Sequence, residues 1–183
     1  MSEVRITRRH WLAVSPVAAA VLAAQEHAHQ AARSVQPPPL TILDAAEAKE
    51  IEAIAAQIIP ADDTPGAREA GVIYFIDHAL ATFDQYKRPL YTEGLRDLEA
   101  RRDALFPGSQ SIAALQPAEQ IRLLQAIEKT DFFELLRTHT ALGFFGNPSY
   151  GGNRDQIGWK LIGFEDRFQF QPPFGYYDAE HKG

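Results

Sequence analysis

Apolar residues recur at the three- to four-residue spacing of a helix through most of this chain, and prolines or glycines interrupt that pattern. The first such segment starts at Asp44, with Glu47 three positions later as in a helix N-terminus, and it stops before Pro60. Its apolar side is formed by Ile51, Ile54, Ala55 and Ile58. No segment alternates apolar and polar residues as a half-buried strand does, and no internal repeat is found. The sequence therefore predicts an all-α fold, a single compact domain of five to six helices.

A second helix is predicted after an acidic turn that contains Pro65 and Gly66. Asp62 and Asp63 lie in this turn, and we interpret them as caps for the helix rather than as an acid/base or cation-binding pair. The apolar positions of the helix are Val72, Ile73, Phe75, Ile76, Ala79, Leu80 and Phe83.

Two more helices are predicted before the last one. In the segment from Leu90 to Phe106, Arg96, Arg101 and Arg102 interleave with acidic residues, which predicts a solvated face with short-range ion pairs rather than a basic patch. Pro117 then stands where the first turn of a helix tolerates proline.

The last predicted helix begins at Thr130 or Asp131 and ends abruptly at Gly146-Asn147-Pro148. Its predicted apolar face consists of Phe132, Leu135, Leu136, His139 and Leu142. A loop rich in glycine, polar and aromatic residues follows, formed by Tyr150, Gly151, Gly152, Asn153, Arg154 and Asp155, with Trp159 and Phe164 soon after. We interpret this loop either as an ordered structural turn, in which Arg154 and Asp155 pair locally, or as a contact surface for another protein.

Composition excludes several classes of function. The chain has 183 residues and a formal net charge of −6, without the basic stripe that phosphate binding requires, so we predict no nucleic-acid partner. It contains no cysteine, and its one methionine is Met1. Disulfides, thiolate zinc sites, iron–sulfur clusters with cysteine ligands and thioether-attached haem are therefore excluded in this chain.

The N-terminal segment resembles a twin-arginine export signal. Arg8 and Arg9 precede Trp11 and Leu12, and a short run of small apolar residues follows, too short for an ordinary transmembrane helix of about 20 residues. No clean Ala-x-Ala cleavage site is present, so both a removed signal and an uncleaved anchor are compatible with the sequence. We predict a signal segment at 1–24, a proline-rich linker at 25–40 and a helical domain with an extended aromatic tail at 41–183.

The sequence contains none of the common catalytic, nucleotide-binding or metal-binding motifs. His139 is the best single candidate for chemistry, although a lone helical histidine is more often a hydrogen-bonded core residue. One alternative is a periplasmic sugar-binding domain in which His139, Arg154 and Asp155 line a pocket. Another is a small hydrolase or isomerase that uses His139 with Asp155, which requires the two side chains within about 3 Å, directly or through one water.

Several motifs together resemble the gluconate 2-dehydrogenase subunit 3 family. They are Thr7-Arg8-Arg9, the run from Ile58 to Ala67, Phe75-Ile76-Asp77, Thr138-His139-Thr140, Gly143-Phe144-Phe145, the loop from Tyr150 to Asp155, Gly158-Trp159 and Ile162-Gly163-Phe164. The resemblance implies a small, non-catalytic subunit of a periplasmic sugar or sugar-acid dehydrogenase. It also implies a large flavoprotein partner of the glucose-methanol-choline oxidoreductase type that holds FAD, and often a cytochrome c subunit, with haem c, that accepts the electrons.

In such complexes the small subunit supplies the export signal for the twin-arginine translocase and helps the large subunit mature, so no cofactor is expected in this chain. Aromatic residues and arginine are the residue types that anchor protein interfaces. We therefore predict the partner interface at the loop from Tyr150 to Asp155, at Trp159, and at Phe174, Tyr176 and Tyr177 in the tail. Association with the inner membrane, through the complex or an uncleaved signal, is a further expectation.

Overall fold

Six α-helices and four short 3-10 turns make up most of residues 39–167, the part of the chain that this computed structural model describes. The helices are α1 (Ala45–Ile58), α2 (Val72–Ala81), α3 (Arg88–Leu105), α4 (Pro117–Ile127), α5 (Asp131–Phe145) and α6 (Ile157–Leu161). No strand occurs within residues 39–167. The prediction of an all-α fold with five to six helices is confirmed.

Local chemistry sets the helix ends that the sequence predicted. The Asp44 carboxylate accepts hydrogen bonds from the backbone N–H groups of Ala46 and Glu47, and the Glu47 carboxylate accepts one from the Asp44 N–H. This reciprocal arrangement satisfies amides that have no partner inside α1. At the start of α5, the Thr130 hydroxyl accepts a hydrogen bond from the Phe133 N–H at 3.2 Å.

The predicted caps for α2 are wrong. Gly71 precedes α2 with a left-handed backbone (φ 67°), and no side chain caps this helix. Asp62 instead accepts hydrogen bonds from the backbone N–H and the hydroxyl of Thr64. Asp62 thus closes a local turn. It does not reach the start of α2, because residues 67–71 form a further turn between them.

Helix α2 is the centre of the domain. It packs against α5 and α1, while α3 packs against α4 and α5. Seven of its ten residues are buried, which leaves three more accessible positions: His78 is exposed, and Tyr74 and Ala81 are half-buried. Among the described residues, no helix is long and apolar enough to cross a bilayer.

Three positions differ from the predicted apolar and polar faces. Phe83 lies beyond the end of α2 and is 51% exposed, because Thr82 ends the helix with a non-helical backbone. Leu142 is 49% exposed, since α5 instead turns Gly143 towards α2, where an added Cβ would lie 3.0 Å from the Cβ of Phe75. Arg102, predicted on a solvated face, is buried.

A buried carboxylate ties the entry of the chain to the core. Asp77 accepts hydrogen bonds from the backbone N–H groups of Thr41, Ile42 and Leu43 at 2.6, 2.9 and 2.9 Å. Burial acts to raise the pKa of Asp77, but these bonds outweigh it and hold the pKa below its ordinary value. The first described residues are therefore fixed to α2.

Candidate partner interface

The loop after α5 is held in shape by the side chain of one buried asparagine. The Asn153 amide nitrogen donates to the carbonyl of Gly146 at 2.8 Å, and its amide oxygen accepts from the N–H of Gly158 at 2.8 Å. The backbone N–H of Asn153 donates to the carbonyl of Gly143 at 2.7 Å. Asn153 therefore joins the end of α5 to the start of α6.

The backbone of this loop needs residues that tolerate unusual conformations. Gly151 has φ 102°, and an added Cβ at Gly152 would lie 2.1 Å from the carbonyl oxygen of Gly143. Asn153, Asp155 and Gln156 also have positive φ values of 46°, 55° and 58°. Non-glycine residues in this region carry strain, which persists only where surrounding contacts fix the backbone, as they do here.

Three more contacts, made by Arg154 and Trp159, attach the loop and α6 to the body of the domain. The backbone N–H of Arg154 donates to the carbonyl of Ala70 at 2.9 Å, and its guanidinium lies 5.3 Å from the centre of the Tyr74 ring. The indole N–H of Trp159 donates to the carbonyl of Phe145 at 2.7 Å. The expected local pair of Arg154 with Asp155 is not among the ion pairs of the described residues, because Arg154 is directed to Tyr74 instead.

The residues predicted to contact a partner therefore divide into two groups. Gly152, Asn153 and Trp159 are buried in this chain and build the loop. Tyr150, Gly151, Arg154 and Asp155 are exposed and form the part of the loop that another protein can reach. The other predicted positions lie outside the described residues: Arg8, Arg9, Trp11 and Leu12 in the signal segment, and Phe174, Tyr176 and Tyr177 in the tail.

An exposed aromatic patch lies beside this loop, formed by His78, Phe83 and Tyr150. The ring of Phe83 lies 6.0 Å from the ring of Tyr150 and 6.1 Å from the ring of His78, measured between centroids. His78 comes from α2, Phe83 from the segment after it and Tyr150 from the loop. Neither His78 nor Phe83 was predicted from the sequence to contact a partner, since helical spacing assigned Phe83 to the buried side.

Large exposed apolar residues are concentrated in two segments, 83–86 and 142–164. Phe83 and Tyr86 belong to the first segment, and the second contains Leu142, Phe145, Tyr150, Leu161, Ile162 and Phe164. Elsewhere in the described residues, Ile121 on α4 is the only large apolar side chain of this kind. Concentration of exposed apolar side chains is typical of a protein interface rather than of ordinary surface.

His139 is at the centre of a buried hydrogen-bonded cluster. Its Nε2 lies 3.0 Å from a carboxylate oxygen of Asp84, and its Nδ1 lies 2.9 Å from the hydroxyl of Tyr91. Because a carboxylate can only accept, Nε2 carries the proton, and in the neutral ring Nδ1 then accepts from Tyr91. Lys87 also pairs with Asp84, at 3.1 Å. Both ring nitrogens are therefore occupied by partners from elsewhere in the chain.

The surroundings keep this cluster in one protonation state. Burial lowers the pKa of His139, although the Asp84 carboxylate partly opposes that effect, and burial raises the pKa of Tyr91. Burial acts to raise the pKa of Asp84, but hydrogen bonds from His139 and Lys87 outweigh it and lower the pKa. Near neutral pH the cluster contains a neutral imidazole, a phenol and a carboxylate.

This geometry does not support catalysis by His139 with Asp155. The partner of His139 is Asp84, and the imidazole is only 1% exposed, so a substrate has no direct access to it. The expectation that His139 and Asp155 form a catalytic pair is wrong, because Tyr91 and Asp84 bind both nitrogens of the ring. His139 is instead the hydrogen-bonded core residue that a lone helical histidine more often is.

A cleft of about 310 Å³ opens between α1 and α3. Glu47, Glu50, Arg96, Glu99 and Arg102 contribute its charged groups. None of His139, Arg154 and Asp155 lines it, so the three residues proposed for a sugar pocket do not meet there. Within residues 39–167, no group of three or more His, Asp or Glu side chains is arranged to hold a metal ion.

Comparison with known proteins gives one match. The family model described as "Gluconate 2-dehydrogenase subunit 3" matches residues 45–166, from the start of α1 to beyond α6. No curated protein and no solved structure matches the chain. The matched range includes the loop, the aromatic patch and the His139 cluster. Since the match covers well over half of the sequence, the chain belongs to the gluconate 2-dehydrogenase subunit 3 family.

Proposed function

We propose that this protein is a non-catalytic subunit of a periplasmic, FAD-dependent sugar or sugar-acid dehydrogenase, and that it binds the large flavoprotein subunit through the aromatic patch and the adjoining loop. In this proposal Arg8, Arg9, Trp11 and Leu12 belong to a twin-arginine signal that exports both subunits together. The flavin, and any haem c in a third subunit, belong to the partners. The small subunit stabilises the flavoprotein while it folds.

The observation that carries the proposal is the way the patch is built. Tyr150 and Phe83 are 48% and 51% exposed, yet they come from segments fixed by internal hydrogen bonds. The backbone N–H of Asp84, next to Phe83, donates to the carbonyl of Ala79 at 2.8 Å, and Tyr150 follows directly after α5 through a short 3-10 turn. Rigid aromatic side chains lose little conformational entropy when a partner covers them.

Family membership supports a subunit role, and the buried state of His139 supports a non-catalytic one. The twin-arginine signal gives the reason for travelling as a complex. That export route accepts folded proteins, so a flavoprotein without a signal of its own needs a companion that carries one.

The test is co-expression of the full chain with the flavoprotein subunit, followed by purification through a tag on the small subunit. We expect a yellow preparation in which the two chains co-elute and oxidise a sugar or sugar acid. The small subunit expressed alone is expected to be colourless and inactive. A flavin bound to the isolated small subunit, or turnover of a sugar by it, would contradict the proposal.

The interface is tested separately with Phe83→Ala and Tyr150→Ala. Each substitution should weaken binding of the flavoprotein by about 2 kcal/mol, or roughly thirtyfold, as expected for a central aromatic contact. Ile121→Ala is the matched control, because Ile121 is 50% exposed on α4, outside the two segments. Equal binding by all three variants would place the interface elsewhere.

A further inference from the structure

We infer that His139 is a positioning residue for the aromatic patch, and that its hydrogen bond to Asp84 fixes Phe83 in the orientation that binds the partner. This inference rests on the proposed function for its partner, but it makes a separate prediction about the isolated chain.

The backbone around Phe83 is held through its neighbour Asp84. Phe83 lies after the end of α2 at Thr82 and before the 3-10 turn at Gln85–Lys87, so no helix fixes its direction. Its neighbour Asp84 is held by its backbone N–H and by its carboxylate. The carboxylate bond reaches across to α5, because the donor is Nε2 of His139 at 3.0 Å. The turn that displays Phe83 is therefore anchored to the body of the domain through His139.

Side-chain packing also connects His139 to Phe83. The imidazole of His139 meets the ring of Phe75 edge-on, with 6.1 Å between centroids, and Phe75 lies 6.3 Å from Phe83. On its other side, the imidazole stacks on Tyr91 at 5.8 Å. His139 thus reaches Phe83 by two routes, through Asp84 and through Phe75, so a shift of the imidazole is transmitted to the patch.

Tyr91 sets the direction of the ring. Its hydroxyl donates to Nδ1 and so leaves the proton on Nε2, where it bonds to Asp84. Tyr91 is fully buried, and its ring packs against Phe132 with 5.5 Å between centroids, so its position is fixed by the core. The core therefore determines the imidazole orientation, and the imidazole determines the position of the exposed segment.

A pair of conservative substitutions separates positioning from space filling. In His139→Gln the side-chain amide nitrogen stands as many bonds from the backbone as Nε2, so it can still donate to Asp84. In His139→Asn the amide corresponds to Nδ1 and cannot reach Asp84. Both variants remove the ring and its packing, and they differ in the hydrogen bond under test.

The readouts are the nuclear Overhauser effect between the rings of Phe83 and Tyr150 in the isolated full chain, and the affinity of the full chain for the flavoprotein. We expect His139→Gln to keep the ring contact and to bind within about threefold of the original protein, and His139→Asn to lose the contact and bind at least about tenfold more weakly. Equal loss in both variants, in proportion to their loss of thermal stability, would overturn the inference. So would an unchanged ring contact in His139→Asn.

Asp84→Ala provides a second route if a substitution at the buried His139 prevents folding. It removes the acceptor at a site near the surface and should also lose the ring contact, whereas Asp97→Ala, which removes an exposed carboxylate paired with Arg101, should keep it. A retained ring contact in Asp84→Ala would again contradict positioning by His139. If Phe83→Ala leaves flavoprotein binding unchanged, the proposed interface fails, and the ring contact still decides the inference.

Discussion

The loop after α5 and the cleft between α1 and α3 differ in whether their buried polar atoms have hydrogen-bond partners inside the chain. In the loop, the backbone N–H, the amide nitrogen and the amide oxygen of Asn153 all bond inside the chain. In the cleft, the buried Arg102 has no partner for its Nε, and its closest contact to Glu50 is 4.0 Å. The loop satisfies its polar atoms internally, while the cleft leaves charged groups only partly paired.

This difference explains what each surface presents. Asn153 satisfies the buried polar groups of the loop from within the chain, so a partner can cover the neighbouring aromatic side chains of Phe83 and Tyr150 at little desolvation cost. Arg154 and Asp155 remain exposed for polar contacts with that partner. The charged groups of the cleft face one another and water, since Arg102 also lies near the exposed carboxylates of Glu99 and Asp103. A surface whose charges are partly paired within the chain and otherwise hydrated has little to gain from a protein partner, because covering it would remove that hydration.

The largest effect should come from Asn153→Ala, which tests whether the loop is internally satisfied. The substitution leaves the buried N–H of Gly158 and the carbonyl of Gly146 without partners and removes a residue tolerant of positive φ. We expect a loss of about 3 kcal/mol in the free energy of unfolding, measured by chemical denaturation.

The matched control for this prediction is Asn147→Ala. The Asn147 side chain accepts one exposed hydrogen bond, from the N–H of Ser149 at 3.0 Å. Asn147→Ala should lower the free energy of unfolding by about 1 kcal/mol or less. If Asn147→Ala destabilises the protein as much as Asn153→Ala, the loop is not organised around Asn153.

A smaller effect on stability, with a clear effect on binding, is expected for Arg154→Ala. The backbone N–H of Arg154 holds the loop to Ala70, so loss of the side chain removes only the contact with Tyr74, worth about 0.5–1 kcal/mol. Recovery of the flavoprotein by co-purification should nevertheless fall several-fold, since Arg154 is exposed in the loop that we propose contacts the partner. Normal recovery would show that the interface stops short of Arg154.

The predictable part of this molecule is its local chemistry. The starts of α1 and α5 could be predicted from Asp44 and Thr130, because a capping side chain binds backbone N–H groups within three residues of itself. The end of α1 at Ile58 could be predicted from Pro60. The motifs that resemble the family were also short and contiguous. Family membership and the all-helical fold were therefore both accessible from the sequence.

The unpredictable part depends on how helices meet. Asp84 and Tyr91 lie 55 and 48 residues from His139, and no local pattern records that α5 brings them together. Helical spacing predicted Leu142 on the buried side of α5. In the structure α5 instead contacts α2 through Gly143, which approaches Phe75 closely, and Leu142 is left exposed. Likewise, composition marked Asn153 as a contact residue, whereas its two side-chain hydrogen bonds place it inside the loop.

Arg102→Met tests whether the cleft, in contrast to the loop, contributes little to stability through its polar contacts. A buried arginine whose Nε lacks a partner contributes little net stability, and an apolar side chain of similar length can replace it at low cost. We expect the free energy of unfolding to change by about 1 kcal/mol or less, with unchanged recovery of the flavoprotein. A loss of about 3 kcal/mol would show that the cleft is as tightly organised as the loop.

The most gradual effect is a dependence of stability on pH that arises from His139. Because burial lowers the pKa of His139 in the folded protein, the unfolded chain takes up a proton first as the pH falls. The contribution of the neutral imidazole to the free energy of unfolding is thus fully present above about pH 6.5, the ordinary pKa of histidine, and it declines below that pH. Asp84 behaves differently, since its lowered pKa makes its contribution decline only below its ordinary value of 3.8. The free energy of unfolding should therefore change more between about pH 7.5 and pH 5.5 in the original protein than in His139→Gln, because glutamine does not titrate at position 139. An equal change in both proteins would assign the pH dependence to other residues.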